Sequence, residues 1–372
     1  MSGKTIGFVC FVGAGFLGIG CSTPVEDDTQ QRAVIRDLAN NVMYPLQKEL
    51  AAEAADVKTT LAAFCAAPTE ANLKAAQDAW RTARLPWKRA EMLRFGPVED
   101  ARIGSAIDFW PVRPDTIEAA ITAAPEPVTA AHIATLGTSS KGLPAIEYLI
   151  FDPVGGNAAI LTSIGGMDAI AGKRCGYAAA LGEAFANDAA ALESAWSPTG
   201  GGFVNEVANA GAGSSTFTSG QNAVGVVVNL LNASLQATNE NKITALLGTN
   251  TGSPDPLLVE SRLSDASIDD LLENMHGVDD VYEGHHADKM GKGLSVLVSA
   301  RSPAIDAAVK AALVDAQAKI SAIPAPLRTA ITANPESVTA AHAAIRNLRI
   351  RLSTDVASVL GVSILLNDSD AD

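Results

Sequence analysis

The sequence predicts an all-α protein made of two helical bundles, and two patterns in the chain support the all-α class. Apolar residues recur at steps of three and four along most of the 372 residues, which is the spacing of a buried helix face. The alternation of apolar and polar residues that is typical of strands is sparse. Hydrophobic residues make up 48% of the chain, enough for the core of one large domain or two of ordinary size.

Six segments carry the helical spacing and are predicted to be helices. They are residues 31–57, 73–85, 160–192, 224–247, 305–323 and 338–360. In the first segment the spacing is carried by Val34, Ile35, Leu38, Val42, Leu46 and Leu50. Residues 224–228 are β-branched except for Gly225 and favour a strand by composition, yet their flanks keep the helical spacing, so we assign them to a helix.

The first 21 residues have the pattern of an export signal. Lys4 is their one charged side chain, and an apolar run follows over residues 6–19. That run is too short to span a bilayer comfortably, which favours a signal peptide over a membrane helix. It ends in Leu-Gly-Ile-Gly-Cys, which resembles a bacterial lipoprotein cleavage box, so Cys21 is predicted to carry lipid, with plain secretion as the alternative. Residues 22–30 are then a polar tether, and the protein is expected to face the periplasm from the cell envelope.

A short repeat predicts that the chain is divided into two halves. Pro-Glu-Pro-Val-Thr-Ala-Ala-His at residues 125–132 recurs at 335–342 with Ser337 in place of Pro127. Seven identities in eight residues favour duplication over chance. Between the copies lies Ser-Pro-Thr-Gly-Gly-Gly at 197–202, the best linker in the chain. We therefore expect an N-terminal helical bundle over 31–200 and a C-terminal one over 201–366.

Charge and cysteine content limit the classes of partner. The chain has 27 Lys and Arg against 41 Asp and Glu, a formal net charge of −14. This balance argues against nucleic-acid binding, which needs a basic face, and favours cations near the surface. Once Cys10 leaves with the signal and Cys21 carries lipid, Cys65 and Cys175 remain. An exported protein permits a disulfide between them, and two free thiols are the alternative.

A dense patch of aromatic and charged residues runs from 80 to 111 and holds three of the four tryptophans. Trp80, Arg84, Trp87 and Glu91 follow each other at steps of four, three and four, so they lie on one helix face. One interpretation is a core face with a structural ion pair. The other is the wall of a polar cleft, in which Arg84 pairs with Glu91 or crosses to Glu147.

Glu147 is the one carboxylate in the apolar run Gly-Leu-Pro-Ala-Ile-Glu-Tyr-Leu-Ile-Phe at 142–151. A buried carboxylate needs a partner, because desolvation otherwise destabilises the fold or raises its pKa. The spacing of Gly142 and Glu147 resembles the Gly-x-His-x-x-Glu motif of the imelysin family, with Pro144 in the place of the histidine. We expect the helix to begin at Pro144, which puts Glu147 in its first turn, where the helix dipole lowers the pKa.

The resemblance to the imelysin family extends over residues 30–365. A Trp-rich helix, Phe-Gly-Pro at 95–97, Asp108 and Trp-Pro at 110–111 are similar to the pattern of that family. The resemblance implies two helical bundles that face each other across a cleft. It also implies one of two roles: a metal-dependent peptidase, or an exported protein linked to bacterial iron uptake.

Three carboxylates are predicted to line the cleft and to bind the metal. Glu147, Glu91 and Asp108 offer oxygen ligands suited to iron or another divalent cation. The other residues assigned to the cleft are Arg84, Trp87 and Gly142. Because Pro144 has no donor atom, a histidine-bearing zinc site is hard to build here, and hydrolysis is disfavoured.

A second cluster of candidate ligands lies between residues 276 and 288. His276, Asp280, Glu283 and His286 follow each other at steps of four, three and three, which is a workable arrangement for zinc or iron. His285 and Asp288 lie beside them. Gly277 and Gly284 weaken the helix, and the alternative is a polar face turned to solvent.

The sequence therefore favours an envelope lipoprotein that binds a metal ion or small ligand in iron acquisition or handling, without catalysis. The first alternative is a metallopeptidase that uses His276, His285 and His286. The second is a structural or docking lipoprotein in which Glu147 merely satisfies an internal arginine. We expect contact with the membrane only through the lipid, an envelope protein as a further partner, and no nucleic acid.

Overall fold

A computed structural model describes residues 24–166, 169–248 and 252–365, and in them the predicted all-α class is confirmed. The predicted signal peptide and Cys21 lie outside these residues. The helices before residue 166 are α1 (Pro24–Leu38), α2 (Tyr44–Ala66), α3 (Glu70–Ala90), α4 (Pro97–Asp100), α5 (Ile103–Ile107), α6 (Pro114–Ala123), α7 (Ala130–Ala134), α8 (Gly142–Ile150) and α9 (Gly156–Gly165).

The remaining helices of the described chain are α10 (Ala169–Trp196), α11 (Phe203–Ala208), α12 (Gly220–Asn239), α13 (Ser267–Asp279), α14 (Leu294–Arg301), α15 (Pro303–Ser321), α16 (Leu327–Ala333), α17 (Pro335–Ile350) and α18 (Ala357–Leu360). Turns of π-helix extend α1, α12, α13 and α17 at their C-terminal ends. The strands β1 (His285–His286) and β2 (Lys289–Met290) form one small antiparallel hairpin.

The centre of the first bundle is formed by α2, α3 and α10, which pack side by side. The buried apolar residues of α2 recur at helical steps; they are Leu46, Leu50, Ala54, Val57, Leu61 and Phe64. Gly182 of α10 lies against Leu61, and a methyl group there would come within 2.9 Å of its Cδ1. Cys65 of α2 and Cys175 of α10 form a disulfide, which decides between the two alternatives left open by the sequence.

The second bundle is built from α12, α13, α15 and α17. Helix α1 packs against α12 and α14, so residues 24–38 lie with the second bundle. Helix α13 also packs against α3 of the first bundle, and this contact joins the two halves. Among the described residues, no helix is both long and apolar enough to cross a membrane.

The segment expected to be a polar tether differs from that expectation. Helix α1 begins at Pro24, so most of residues 22–30 are helical. The backbone N–H of Gly220 donates to Oδ1 of Asp28 at 2.9 Å, and Arg32 pairs with Asp28 one turn away. These contacts hold the segment against the N-terminus of α12.

The two copies of the eight-residue repeat do not share one local structure. In the second copy, α17 begins at Pro335 and continues through His342. In the first, the helix α7 begins only at Ala130, after Pro127. Proline disfavours a helical conformation in the residue before it, so Pro127 opposes at Glu126 the helical start that Ser337 allows at Glu336.

Candidate functional site

The predicted tryptophan face of α3 is buried where the two bundles meet. Trp80 is fully buried, and its indole N–H donates to the carbonyl oxygen of Leu143 at 2.9 Å. Trp87 donates to Oδ2 of Asp108 at 2.8 Å. Two indoles of one helix face thus bind the start of α8 and the residue that follows α5, and both exclude water from the charged groups beside them.

Arg84, on the same face, is bidentate to Asp270 in the first turn of α13. Its Nε lies 2.8 Å from Oδ1 and its Nη2 lies 2.7 Å from Oδ2. The guanidinium also lies 3.5 Å from Glu260 and 3.6 Å from Asp108. The predicted pairing of Arg84 with Glu91 or Glu147 is therefore wrong, because the bidentate partner comes from the other bundle.

Lys88, one turn after Arg84, is fully buried among three carboxylates. Its Nζ lies 2.7 Å from Oδ2 of Asp108 and 3.3 Å from Oε2 of Glu91, and it also donates to Glu260. Burial opposes the charged ammonium, but the three carboxylates outweigh it and hold the pKa of Lys88 above its ordinary value. The carboxylates thus favour the charged form of Lys88 in the folded protein.

A second lysine reaches the same group from the other bundle. Lys242 lies in the π-helical turn after α12, and its Nζ is 2.7 Å from Oε2 of Glu91 and 3.1 Å from Oε2 of Glu260. It also donates to Asn274 at 3.0 Å. Although burial opposes ionisation of Glu91, the charges of Lys242 and Lys88 keep the pKa of this carboxyl well below its ordinary value.

Three carboxylates converge closely enough to bind a metal ion. One oxygen each of Glu91, Asp108 and Glu260 lies within 4.8 Å of the others. Oxygen donors of this kind suit hard cations. However, the ammonium of Lys88 already contacts all three of them, so a metal ion fits only if it takes the place of that ammonium.

The buried ion pairs leave this region slightly acidic. Burial favours the neutral form of Asp108, yet Lys88 and Arg84 outweigh it, and its pKa lies below the ordinary value. The cations of the cluster are Arg84, Lys88 and Lys242, and its carboxylates are Glu91, Asp108, Glu260 and Asp270. Pairing offsets the desolvation cost of these buried charges, whereas an unpaired charge in the interior would destabilise the fold.

Glu147 is not part of the converging group of three carboxylates. Its Oε1 accepts hydrogen bonds from the backbone N–H and hydroxyl of Ser264, at 2.8 and 2.7 Å, and from the N–H of Leu263 at 3.1 Å. Burial raises the pKa of Glu147 to about 7, against the opposing effect of Ser264 and Arg84. The predicted lowering of this pKa is wrong, because α8 begins at Gly142 and desolvation of the side chain outweighs the donors around it.

The glycine of the motif has a clear structural reason. Gly142 has a φ of +76°, a conformation that side chains rarely adopt. A Cβ there would lie 2.3 Å from the carbonyl oxygen of Ile107 and 2.5 Å from that of Ala106. Gly142 therefore lets the start of α8 approach α5 closely, which brings Pro144 and Glu147 near Asp108.

A narrow cavity with no room for a water molecule lies between the two bundles. Its wall is formed by Arg84, Asp108, Trp110, Val112, Pro144, Glu147, Glu260 and Ser261. Two buried polar atoms of this wall, Oδ1 of Asp108 and Nε1 of Trp110, have no hydrogen-bond partner in the described chain. Of the residues predicted to line a cleft, Glu147, Asp108 and Arg84 share the wall of this cavity.

The second predicted cluster is divided among separate contacts. Nδ1 of His286 lies 2.8 Å from Oδ2 of Asp280, and its Nε2 lies 2.8 Å from Oε2 of Glu49 on α2. Although burial opposes the charged ring, these two carboxylates raise the pKa of His286 to about 9. His276 instead lies 3.2 Å from Glu273.

The other members of that cluster have their own partners. Glu283 pairs with Lys310 at 3.2 Å, and His285 lies 3.8 Å from Asp280. Asp288 is exposed in the turn between β1 and β2. Within residues 24–166, 169–248 and 252–365, the group of ligands that converges on one point is Glu91, Asp108 and Glu260, and it contains no histidine.

Several residues of the site were missed by sequence reasoning. Lys88 lies four residues after Arg84 on the predicted face, and that spacing is the one signal that marks it. Glu260 follows a short turn, and Asp270 lies in the first turn of α13, so helical spacing does not relate either of them to α3. Their positions follow from the contact between the bundles, which the sequence does not encode locally.

The fold and site define a class: an all-helical protein of two joined bundles with a buried cluster of acidic and basic side chains at the join. The sequence profile of the imelysin family matches residues 43–354. This chain belongs to the imelysin family. The resemblance stated from its motifs is thereby confirmed, although Pro144 still stands where the motif has histidine.

The chain is similar to three further proteins. It is 27% identical over 325 residues to iron-regulated protein A of Synechococcus elongatus, covering 86% of this chain and 84% of that protein. A crystal structure named for an iron-regulated protein A precursor of Parabacteroides distasonis has a TM-score of 0.77 at 20% identity, covering 92% and 97%. An imelysin-like protein of Psychrobacter arcticum has a TM-score of 0.73 at 17% identity, covering 91% and 98%. These two structures support the fold.

Proposed function

We propose that this chain is a non-catalytic metal-binding protein of the cell envelope with a role in iron acquisition or handling. The observation that carries the proposal is the convergence of Glu91, Asp108 and Glu260 within 4.8 Å at the join of the bundles. The name of the Synechococcus relative, an iron-regulated protein, supports a connection to iron.

The ion is cargo or ligand here, and the residues that hold it are oxygen donors. Glu91, Asp108 and Glu260 bind it in place of the Lys88 ammonium, so that the carboxylates remain neutralised by a cation throughout. Lys88 therefore competes with the metal and lowers the apparent affinity. Such competition suits a protein that takes up an ion and releases it again.

An envelope location is part of this proposal. The signal-like residues 1–21 and the sequence before Cys21, which resembles a lipoprotein cleavage box, support export and anchoring. The disulfide between Cys65 and Cys175 supports an oxidising compartment, because thiols are kept reduced in most cytosols. The periplasmic face of the envelope satisfies both conditions, and an envelope protein is the expected partner for delivery or receipt of the ion.

A specific observation supports the alternative of a structural or docking role. Glu147 accepts three hydrogen bonds from residues 263 and 264, so it fastens α8 to the loop before α13. This contact supports a structural or docking role in which the charged cluster only joins the bundles. The metallopeptidase alternative has less support, because His276 contacts Glu273 and the two ring nitrogens of His286 contact Asp280 and Glu49.

Calorimetric titration tests the proposal. Ferrous, ferric, zinc and calcium ions are titrated into metal-stripped protein that starts at Ser22, and into the variants Glu260→Gln and Lys88→Met. We expect saturable binding by the wild type, loss of binding in Glu260→Gln, and binding at least about tenfold tighter in Lys88→Met because the competing cation is gone. Glu183→Gln, which alters an exposed pair with Lys58, is the matched control.

The outcomes separate the alternatives. If the wild type binds none of the four ions, the metal proposal fails and the structural role is favoured. If Glu260→Gln binds as tightly as the wild type, the metal lies elsewhere. Lys88→Met leaves buried carboxylates without their cation, so its melting temperature is measured with and without the ion. A rise on addition of the ion, larger than in the wild type, is expected.

A further inference from the structure

The turn that carries Glu260 has an uncommon backbone conformation. It covers residues 260–265, just before α13. Ser261 has a φ of +49° and Asp265 has a φ of +59°, values in the left-handed region that favours glycine. Other residues stay in that region where the surrounding structure holds them there, and they are concentrated at functional sites. Contacts from outside the turn are therefore needed to fix its conformation.

The middle of the turn is bound by Glu147. Its Oε1 accepts from the N–H and the hydroxyl of Ser264, at 2.8 and 2.7 Å, and from the N–H of Leu263 at 3.1 Å. The side chain of Glu147 is buried, so water is badly placed to take over these bonds. The hydroxyl of Ser264 also lies 3.2 Å from the carbonyl oxygen of Ser261, the residue after Glu260. Glu147 is thus connected to Glu260 through one short turn.

Two other helices bind the turn through different groups. The hydroxyl of Ser261 donates to Oδ2 of Asp270 on α13 at 2.5 Å. Arg81 on α3 donates to the carbonyl oxygen of Ser264 at 2.8 Å. These contacts engage a hydroxyl and a carbonyl oxygen, whereas Glu147 engages two backbone N–H groups. Without Glu147 these two donors lose their acceptor, which destabilises this conformation of the turn.

Glu260 is the one of the three converging carboxylates that an irregular segment carries. Glu91 begins the 3₁₀ turn that extends α3, and Asp108 directly follows α5 and is bound by Trp87. Glu260 lies outside the helices, and its Oε2 is 3.1 Å from Nζ of Lys242. A change in the turn therefore moves this carboxylate relative to the other two.

We propose that Glu147 is a positioning residue of the metal site. By binding the backbone of residues 263 and 264 it holds the carboxylate of Glu260 beside those of Glu91 and Asp108, and it does not itself bind the ion. The effect on ion binding rests on the proposed function, whereas the position of Glu260 is a property of the metal-free protein. The proposal explains a carboxylate in the apolar run of α8 by the acceptor oxygen that it supplies.

Two substitutions separate a positioning role from a ligand role. Glu147→Gln keeps an acceptor oxygen for the two N–H groups, and Glu147→Leu removes it at similar size. Both variants are stripped of metal, start at Ser22 and are titrated calorimetrically with ferrous, ferric, zinc and calcium ions. We expect Glu147→Gln to bind within about threefold of the wild type, because its amide oxygen still accepts. Glu147→Leu should bind at least about tenfold more weakly, as is usual when a residue that orients a metal ligand is lost.

A milder variant and a core variant complete the series. Ser264→Ala removes one of the three hydrogen bonds and is expected to weaken binding about fivefold. Leu50→Ala opens the core of α2 away from the turn, so it should lower stability and leave the affinity at the wild-type value.

Crystal structures of the metal-free proteins measure the position of Glu260 directly. The distance from Nζ of Lys242 to Oε2 of Glu260 should stay near 3.1 Å in Glu147→Gln. It should lengthen by about 1 Å or more in Glu147→Leu, and by less in Ser264→Ala, because the turn is then held less firmly.

Each outcome decides for or against the positioning role. Loss of binding in Glu147→Gln would show that Glu147 is itself a ligand, which overturns the proposal. Wild-type affinity in Glu147→Leu, or in Ser264→Ala if the leucine variant does not fold, also overturns it and leaves the metal proposal intact. If the wild type binds no ion, the metal proposal fails and the distance decides. An unchanged distance in the weakened variants then rejects the positioning of Glu260, and a longer one that Glu147→Gln restores supports it.

Discussion

The guanidinium of Arg84 binds both carboxylate oxygens of Asp270, at 2.8 and 2.7 Å, and both side chains are 3% exposed. Arg84 lies on α3 of the first bundle and Asp270 on α13 of the second. The pair therefore ties the bundles together in a place where water does not screen the charges. A buried pair of this kind adds little net stability compared with apolar residues in its place. Removing one partner, however, leaves the other charge buried and unpaired, which destabilises the fold.

Replacing Arg84 with methionine is expected to lower the free energy of unfolding by about 3–5 kcal/mol, because Asp270 then stays buried without its cation. Denaturant unfolding at neutral pH measures the change. The double variant Arg84→Met/Asp270→Leu is expected to recover part of the loss. Lys74→Met breaks an exposed pair with Asp78 and should change stability by less than about 1 kcal/mol. A similarly small effect of Arg84→Met would contradict the prediction.

Helix positions could be predicted because burial alone imposes the helical period. Residues 305–323 were predicted to be helical, and α15 spans Pro303–Ser321. Residues 224–228 are helical within α12 in spite of their β-branched composition. Each of these predictions needs only the contact of one helix face with a core, a property that a local window of sequence records.

The partners of the charged residues could not be predicted in the same way. The spacing placed Arg84 on the right face but did not indicate Asp270, because 186 positions separate them. Glu147 was predicted to have a lowered pKa from its place in α8, whereas the surrounding side chains desolvate it and raise the pKa. Both errors have one cause: desolvation and long-range pairing depend on how the bundles meet.

Glu147 should make the stability of the protein depend on pH. Its pKa is raised to about 7 from the ordinary 4.5, so the folded state binds this proton more tightly than the unfolded state does. Stability from this group is therefore fully present below pH 4.5 and is lost as the pH rises to 7, by about 3 kcal/mol. Glu147→Gln stays neutral and should remove this loss.

The free energy of unfolding of both proteins is measured from pH 4.5 to 8, and their difference is the quantity of interest. We expect the unfolding free energy of Glu147→Gln to increase relative to that of the wild type as the pH rises. Glu70→Gln, at an exposed position in the first turn of α3, is the control and should run parallel to the wild type. A constant difference between Glu147→Gln and the wild type would show that the pKa of Glu147 is not raised.

The disulfide between Cys65 and Cys175 should contribute substantially to stability, since it closes a long loop between α2 and α10. The two cysteines are 110 positions apart, and a crosslink over a loop of this size restricts the unfolded chain by about 2–5 kcal/mol. Cys65→Ser/Cys175→Ser is expected to lower the unfolding free energy by that amount. The wild type in excess reductant should match the variant. Detection of two free thiols in the unreduced mature protein would refute the pairing.

The contacts of His286 predict a loss of stability in the alkaline part of the pH range. Asp280 and Glu49 raise its pKa to about 9 from the ordinary 6.5. Stability from the charged ring is thus fully present below pH 6.5 and is lost as the pH rises through 9. Because Glu49 is 42% exposed and partly screened, we expect a loss of about 2 kcal/mol.

His286→Gln is neutral throughout, so its unfolding free energy should fall below that of the wild type at pH 6 and approach it at pH 10. His342 is a control of opposite sign, because burial and Arg346 lower its pKa. Its contribution is lost as the pH falls below 6.5, so His342→Gln should differ from the wild type by a constant amount between pH 7 and 10. If His286→Gln also shows a constant difference there, the Glu49–His286–Asp280 contact does not hold a charged histidine, and the hairpin of β1 and β2 is fastened to α2 by neutral hydrogen bonds alone.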